Sequence, residues 1–255
     1  MTQRVALHTS GISAWHGAHQ VLHSVSADFE TGRWTCIVGP NGAGKSSLLK
    51  VLAGLMPCQG EVRLQEKLLS TYSPHQRAQQ LAWLSQQDRA GDDLAVYDVV
   101  MLGRLPHQQW WNGASAHDHA VVEQCLQSQQ LGEWRHRSLG SLSGGERQRV
   151  LLARALAVQA PVMLMDEPIA NVDAPHQANW LHTVRQATAQ GHTVVSVLHD
   201  LNLALRADRL VVMQAGKVLL QTSPDDPALR DCLEQVFEHR LEFHRLQDQW
   251  IALPR

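Results

Sequence analysis

Apolar and polar positions alternate in short pieces from about residue 5 to residue 38, as in Val21-Leu22 with Val25 and Phe29, and the stretch closes on Trp34-Thr-Cys-Ile-Val38. A period of two sends successive side chains to opposite faces, so the pattern predicts an opening set of strands. After Gly39-Pro-Asn-Gly-Ala-Gly-Lys-Ser46 the period changes, and Ser47-Leu-Leu-Lys-Val-Leu-Ala53 repeats as a helix does until Gly54 ends it. Leu81-Ala-Trp-Leu-Ser-Gln86 reads as strand. Residues 96–103 and 118–126 carry helical patterns separated by a loop-like stretch at 106–115, and residues 150–157 are strongly helical. Val162-Met-Leu-Met165 is a short, continuously apolar run of the kind that strands of a parallel sheet show when both faces are covered, and Thr193-Val-Val-Ser-Val-Leu198 reads as a buried strand. Residues 210–213 and 217–220 form a hairpin pattern about Ala215-Gly216, and an amphipathic helix is predicted near 227–237.

The 255 residues suffice for one domain with an inserted lobe. With 44% hydrophobic and 18% charged residues, a packed core is expected in place of disorder. A formal charge of -2 offers no basic surface to neutralise many phosphates, so nucleic acid is not an expected partner. The fifteen His are scattered, and even His117 with His119 reads as solvated surface before it reads as a metal site. Cys36, Cys58, Cys125 and Cys232 are widely spaced, which fits a reducing compartment. The first fifteen residues lack a cationic stretch followed by an apolar run, and no apolar segment approaches a membrane span. A cytoplasmic chain that meets a membrane only through a partner is therefore expected.

The octet at residues 39–46 has two glycines flanking four residues, followed by Lys and Ser. Gly39, Gly42 and Gly44 permit backbone angles that a Cβ resists, so successive N–H groups of Gly39, Pro40 excepted, through Asn41, Gly42, Ala43 and Gly44 can turn toward a polyphosphate at a helix N-terminus. Lys45 supplies a point charge, the Ser46 hydroxyl suits Mg2+, and Ser47 is placed to contact phosphate as well. A glycine-rich turn matching by accident is the alternative, and the position between strand and helix argues against it. Asp166-Glu167-Pro168 ends an apolar strand, where an open α/β sheet binds ligands: Asp166 would reach the metal and Glu167 would polarise the attacking water. Alone, such a pair is more often a solvated strand end. Just upstream, however, Leu142-Ser-Gly-Gly-Glu-Arg-Gln-Arg149 opens the helix at 150–157 and makes a second anion cradle. One ATP has one γ phosphate, and two copies arranged head to tail would use both cradles.

On these motifs the chain resembles the ATP-binding cassette (ABC) family from Trp15 to about Val218. The resemblance implies an α/β P-loop NTPase (RecA-like) core, residues 1–85 and 157–255, with an antiparallel β subdomain and an inserted α-helical subdomain at 86–156 that ends in the Ser-Gly-Gly motif. It implies that Ser143, Gly144, Gly145 and Glu146, with Asp173 of Ala170-Asn-Val-Asp173, serve ATP bound to the other copy. It makes Gln86 a contact for Mg2+ and the attacking water, His199 a γ-phosphate contact, and Trp15 the aromatic face against adenine, where core packing is the alternative reading. Ile169, Val172 and Glu146 depart from the usual Thr or Ser, Leu and Gln, and none removes a group needed for hydrolysis. Glu167 and His199 are both present, as in an active copy.

The family also implies partners: a homodimer of the ATPase, two integral-membrane permease subunits docked near residues 87–95, and, indirectly, a periplasmic substrate-binding protein. The expected place is the cytoplasmic face of the inner membrane. Trp110-Trp111 is either a partner patch or packing of the lobe. Val99-Val-Met-Leu-Gly-Arg-Leu-Pro-His107 with Asp118 resembles the subgroup that energises import of ferric siderophores, haem and cobalamin, with iron chelate ranked first. An exporter subunit or a soluble ABC ATPase is the alternative.

Overall fold

The computed structural model describes residues 4–85, 91–109, 113–169, 172–247 and 249–255. The alternating start of the chain forms β1 (Val5–His16) and β2 (His19–Glu30), which pair antiparallel from Val5 opposite Glu30 to His16 opposite His19. β3 (Trp34–Val38) leaves this ribbon for a second sheet, and α1 (Lys45–Leu52) follows it. The chain then returns through β4 (Cys58–Leu64) and β5 (Lys67–Leu68), completing a four-stranded antiparallel sheet of order β2-β1-β4-β5.

A Ser73 capping box with Gln76 and Pro74 in the first turn start α2 (Pro74–Gln80), which runs straight into β6 (Leu81–Leu84). α3 (Val96–Met101) continues as 3-10 turns over Leu102–His107, so helical backbone reaches into the stretch expected to be loop. The reason is tertiary. The Arg104 guanidinium is buried and donates to Asp118 Oδ1 at 2.8 Å, to the Ala157 carbonyl at 2.7 Å and to Gln159 Oε1 at 3.0 Å. Gly103 lies so close to the next helix that a Cβ there would meet the Arg154 carbonyl oxygen at 2.3 Å. α4 (Ala116–Ser128) and α5 (Gly144–Ala157) both begin with serine capping boxes, Ser115 with Asp118 and Ser143 with Glu146. Valines 96, 99, 100, 121, 122 and 150 interlock these helices.

β7 (Val162–Asp166) and β8 (Thr193–Val197) are buried at every position, the polar Asp166, Thr193 and Ser196 included. Between them lies α6 (Ala174–Ala189), capped by Asp173, a helix whose weak amphipathic pattern predicts little. α7 (Leu201–Ala204), β9 (Arg209–Gln214) and β10 (Lys217–Thr222) follow, giving a six-stranded sheet of order β10-β9-β3-β8-β7-β6 in which only β10 runs antiparallel. α8 (Pro227–Val236) sits where the amphipathic pattern predicts it, and a terminal hairpin of β11 (Leu241–Leu246) and β12 (Gln249–Pro254) ends the chain.

Alternation along the central strands divides the interior in two. Ile37, Leu164, Val195, Val197 and Val211 face α1 and the antiparallel sheet, where Leu48, Leu49 and Leu52 are fully buried. Each such leucine contributes about 1.5–3 kcal/mol, so α1 is clamped between two sheets and the loop before it is held rigidly. Cys36, Val38, Met163, Met165 and Val194 face the other way, toward α5, α6, α8 and the helices at 96–128. Trp34 anchors this side, edge-on to Trp180 at 5.4 Å and donating its indole N–H to Ser196 Oγ at 2.8 Å.

Candidate functional site

The glycine loop joins the carboxyl end of β3 to α1, and the close approach of neighbouring backbone dictates its glycines. A Cβ on Gly39 would lie 2.0 Å from the Met213 carbonyl oxygen, and one on Gly44 would lie 2.8 Å from that of Val21; both residues have positive φ. Lys45 is folded back into the loop, its ammonium donating to the Gly39 carbonyl at 2.8 Å and the Pro40 carbonyl at 3.0 Å. Burial presses this ammonium below its ordinary pKa, while the carboxylates of Glu167 and Asp166 draw it back up. A buried cationic group with its own loop carbonyls as partners, at the wall of a cavity, is poised for a stronger anion.

Opposite stands the end of β7. Asp166 is buried, and its Oδ1 accepts the Ser46 hydroxyl at 2.9 Å. Burial pushes the Asp166 carboxyl up, the bond from Ser46 opposes the rise, and the neighbouring Glu167 charge adds to it. Glu167 departs from the strand with φ 51°, a left-handed conformation that strains a residue with a Cβ by about 1–3 kcal/mol. Its N–H still donates to the Val197 carbonyl at 3.1 Å, which locks the turn to β8. The twist aims Glu167 at His199, whose Nε2 lies 2.6 Å from Glu167 Oε1. The carboxylate only accepts, so the imidazole carries a proton on Nε2. Asn41, Lys45, Ser46, Glu167 and His199 together line one cavity of about 250 Å³.

A family model described as ABC transporter matches residues 22–170. The chain belongs to the ABC transporter family. It is 38% identical over 242 residues to a hemin import ATP-binding protein, HmuV, of Thermobifida fusca (strain YX), covering 93% of this chain and 84% of that protein. It is 32% identical to the ferric enterobactin transport ATP-binding protein FepC of Escherichia coli (strain K12), over 93% of this chain and 89% of the relative. Its fold matches that of a putative metal-chelate type ABC transporter solved in an inward-facing conformation, with a TM-score of 0.83 over 99% of this chain and 98% of the other at 24% identity. The cassette binds ATP, and its hydrolysis is coupled to transport. Its core is the α/β P-loop NTPase fold that the motifs imply.

Other residues singled out in the cassette's sequence fall into three places. Trp15, near the end of β1, is partly buried and lines a separate cavity of about 750 Å³ with Lys50, Trp83 and Met56, while Ser46 and Asp166 form a wall common to that cavity and the loop. The ring is thus beside the site and not in the core. Ser143 caps α5: its Oγ accepts from the Glu146 N–H at 3.3 Å while Glu146 Oε2 accepts from the Ser143 N–H at 2.7 Å. These hydrogen bonds hold the Glu146 carboxyl below its usual range. Asp173 caps α6. Neither Ser143, Gly144, Gly145, Glu146 nor Asp173 lines the cavity at the glycine loop. Gln86, Trp110, Trp111, Ala170 and Asn171 lie outside the described residues. Among the described residues no helix is long and apolar enough to cross a membrane.

Sequence reasoning passed over Lys50, one turn after Ser46 on α1 and lining the same cavity as Trp15. It also passed over Asp200, which caps α7 through bonds to Asn202 and Leu203 and so fixes the turn that carries His199. An Asp immediately before an apolar Leu-x-Leu is a helix-start signal, and that was available.

Proposed function

We propose that this ABC ATPase energises import of haem or a related iron chelate, such as a ferric siderophore, with cobalamin as a further candidate, from the cytoplasmic face of the cell membrane. It does so as a homodimer beneath two permease subunits, fed indirectly by a periplasmic binding protein. Likeness carries the substrate class: identity to the hemin import protein, 38%, exceeds that to the ferric enterobactin protein, 32%, over equal shares of the chain. Convergence of Lys45, Ser46, Glu167 and His199 on one cavity supports the chemistry.

In this reading the loop N–H groups and Lys45 hold the phosphates, and Lys45 exchanges its two loop carbonyls for phosphate oxygens. Glu167 takes hydrogen-bond donation from the attacking water and orients it, and His199, already protonated at Nε2, donates to the γ phosphate. Phosphoryl transfer asks chiefly for positioning and charge stabilisation, which these groups supply. The donor set also fits Mg2+: a hydroxyl and a carboxylate, both hard oxygens, sit 2.9 Å apart at the mouth of the loop, with Gln86 as a further oxygen donor in sequence. When bound there, the ion would neutralise charge on the phosphates, held by Ser46 and Asp166.

The pairing rests on the helix that begins at Gly144. A Cβ on Gly144 or Gly145 would meet nothing within 4 Å, so packing inside this chain does not require glycine at either position. Close approach of a second copy's nucleotide to the N–H groups of α5 does require it. The test is Glu167→Gln, assayed for phosphate release and for binding of a fluorescent ATP analogue. Turnover should fall by about 10²–10³ with affinity retained; unchanged turnover refutes the role. Uptake of labelled haem, ferric chelate and cobalamin in a strain lacking the gene decides the substrate, and no loss of any uptake refutes the class.

A further inference from the structure

His176 does no chemistry in the reading above, yet it stands between two of that reading's parts. It lies in the first turn of α6, and its ring nitrogens face opposite ways. Nδ1 is bonded to Asp173 Oδ1, which also accepts the His176 backbone N–H at 3.2 Å. Nε2 lies 3.4 Å from Nη1 of Arg149, a residue of α5. Guanidinium nitrogens only donate and an ionised carboxylate only accepts. The geometry therefore selects one form of the ring: neutral, protonated on Nδ1, with Nε2 accepting from Arg149.

Arg149 is itself firmly held. It donates through Nε at 3.1 Å to the Gln129 carbonyl and through Nη2 at 2.9 Å to that of Gln130, at the end of α4, and lies 4.9 Å from the centre of the Trp134 ring. A fixed cation thus orients an imidazole, and the imidazole orients Asp173. In support, the Asp173 carboxyl is held below its ordinary range by the hydrogen bonds from His176. α5 begins at the Ser143-Gly144-Gly145 motif, so this chain of contacts joins the two segments that the dimer reading sends across to the partner's nucleotide.

We propose that His176 is a positioning residue for turnover: as the neutral Nδ1–H form it couples Asp173 to the helix opened by Ser143-Gly144-Gly145, so that both reach the second copy's nucleotide in register. The inference rests on the reading of Asp173 as a residue that acts across the pair. His176 touches no reacting atom, and its effect belongs in the rate at saturating ATP and not in nucleotide affinity.

The test uses the full-length cassette with Mg-ATP. His176→Ala should lower kcat about tenfold with KM for ATP within about twofold of the parent. In His176→Asn the carboxamide nitrogen lies where Nδ1 does and keeps the bond to Asp173, but nothing reaches Arg149, so the lost rate should return only in part. His176→Gln, which places its amide farther out, should recover little. Long-range ¹⁵N–¹H spectra of the labelled parent should show a neutral ring protonated on Nδ1. Melting curves of the three variants accompany the kinetics, and a return of rate in His176→Asn that follows recovered melting temperature alone overturns the proposal. Parental kcat in His176→Ala, a proportional rise in KM, or an Nε2–H ring does the same. Asp173→Ala separates the two failures: if it leaves kcat unchanged, the reading of Asp173 falls and the inference with it; if it slows turnover while His176→Ala does not, only the inference falls.

Discussion

The buried ion pair of the helical region allows a prediction with its size worked out. Arg104 and Asp118 are 2% and 4% exposed, and besides Arg104 the carboxylate accepts the Ser115 N–H at 2.9 Å and the Ser115 hydroxyl at 2.7 Å. Burial alone would raise the Asp118 carboxyl, but the hydrogen bonds from Ser115 and Arg104 outweigh it and hold the group at about 2, against 3.8 for a free carboxyl. A depressed folded value means stabilisation that is complete above the unfolded value and is lost as pH falls through the folded one. The linkage is at most about 2.4 kcal/mol at pH 7 and about 1.3 kcal/mol at pH 3. Asp118→Asn removes the charge, keeps one acceptor oxygen and turns an NH2 toward donors, which leaves Arg104 buried without its counter-charge. The expected loss is about 2–4 kcal/mol at pH 7. Urea unfolding followed by circular dichroism and by tryptophan fluorescence, to which Trp134 contributes near α4, measures it from pH 8 downward. The difference between parent and variant should stay level to about pH 5 and narrow below pH 4. A loss under about 0.5 kcal/mol, or a difference that widens as pH falls, refutes the account.

Gly39→Ala should lower the melting temperature sharply or prevent folding, since its Cβ would stand 2.0 Å from the Met213 carbonyl oxygen, and a parental melting curve would contradict the packing. Gly145→Ala should behave in the opposite way: open space around the site and better helix propensity leave stability equal or higher by up to about 1 kcal/mol, while phosphate release drops. Ser196→Ala should cost about 1–3 kcal/mol in denaturant unfolding, because it strands the buried Trp34 indole N–H. Lys45→Ala and Ser143→Arg should each be inactive alone, and mixing the two should restore about a quarter of parental turnover, since half the random pairs are mixed and each keeps one complete site. Complementation that fails although the variants co-purify would remove the head-to-tail arrangement.

How much of this was legible beforehand follows the range over which each signal acts. Strands β3, β7 and β8 are mostly apolar because both faces are covered, so their burial could be read from the run as a whole, although not at Thr35, Thr193 or Ser196. The glycine octet was equally plain, since strand, loop and helix lie consecutively and the backbone angles are written in the residue types. The continuation of α3 to His107 was not, because Pro106 and the polar stretch after it signal a loop, while the force that keeps the turns is a guanidinium clasped by Asp118, Ala157 and Gln159. The terminal hairpin carries a weak alternation and is docked from outside: Asn202 of α7 donates to the Ala252 carbonyl at 3.2 Å and accepts its N–H at 2.8 Å. His176 marks the limit most clearly. A histidine three residues after Asp173 carries no period and no motif, and its meaning arises only when folding brings Arg149, 27 positions away, against the nitrogen that Asp173 leaves free. Chemistry confined to one loop is visible in order of residues, whereas chemistry that depends on which nitrogen meets which neighbour belongs to the fold.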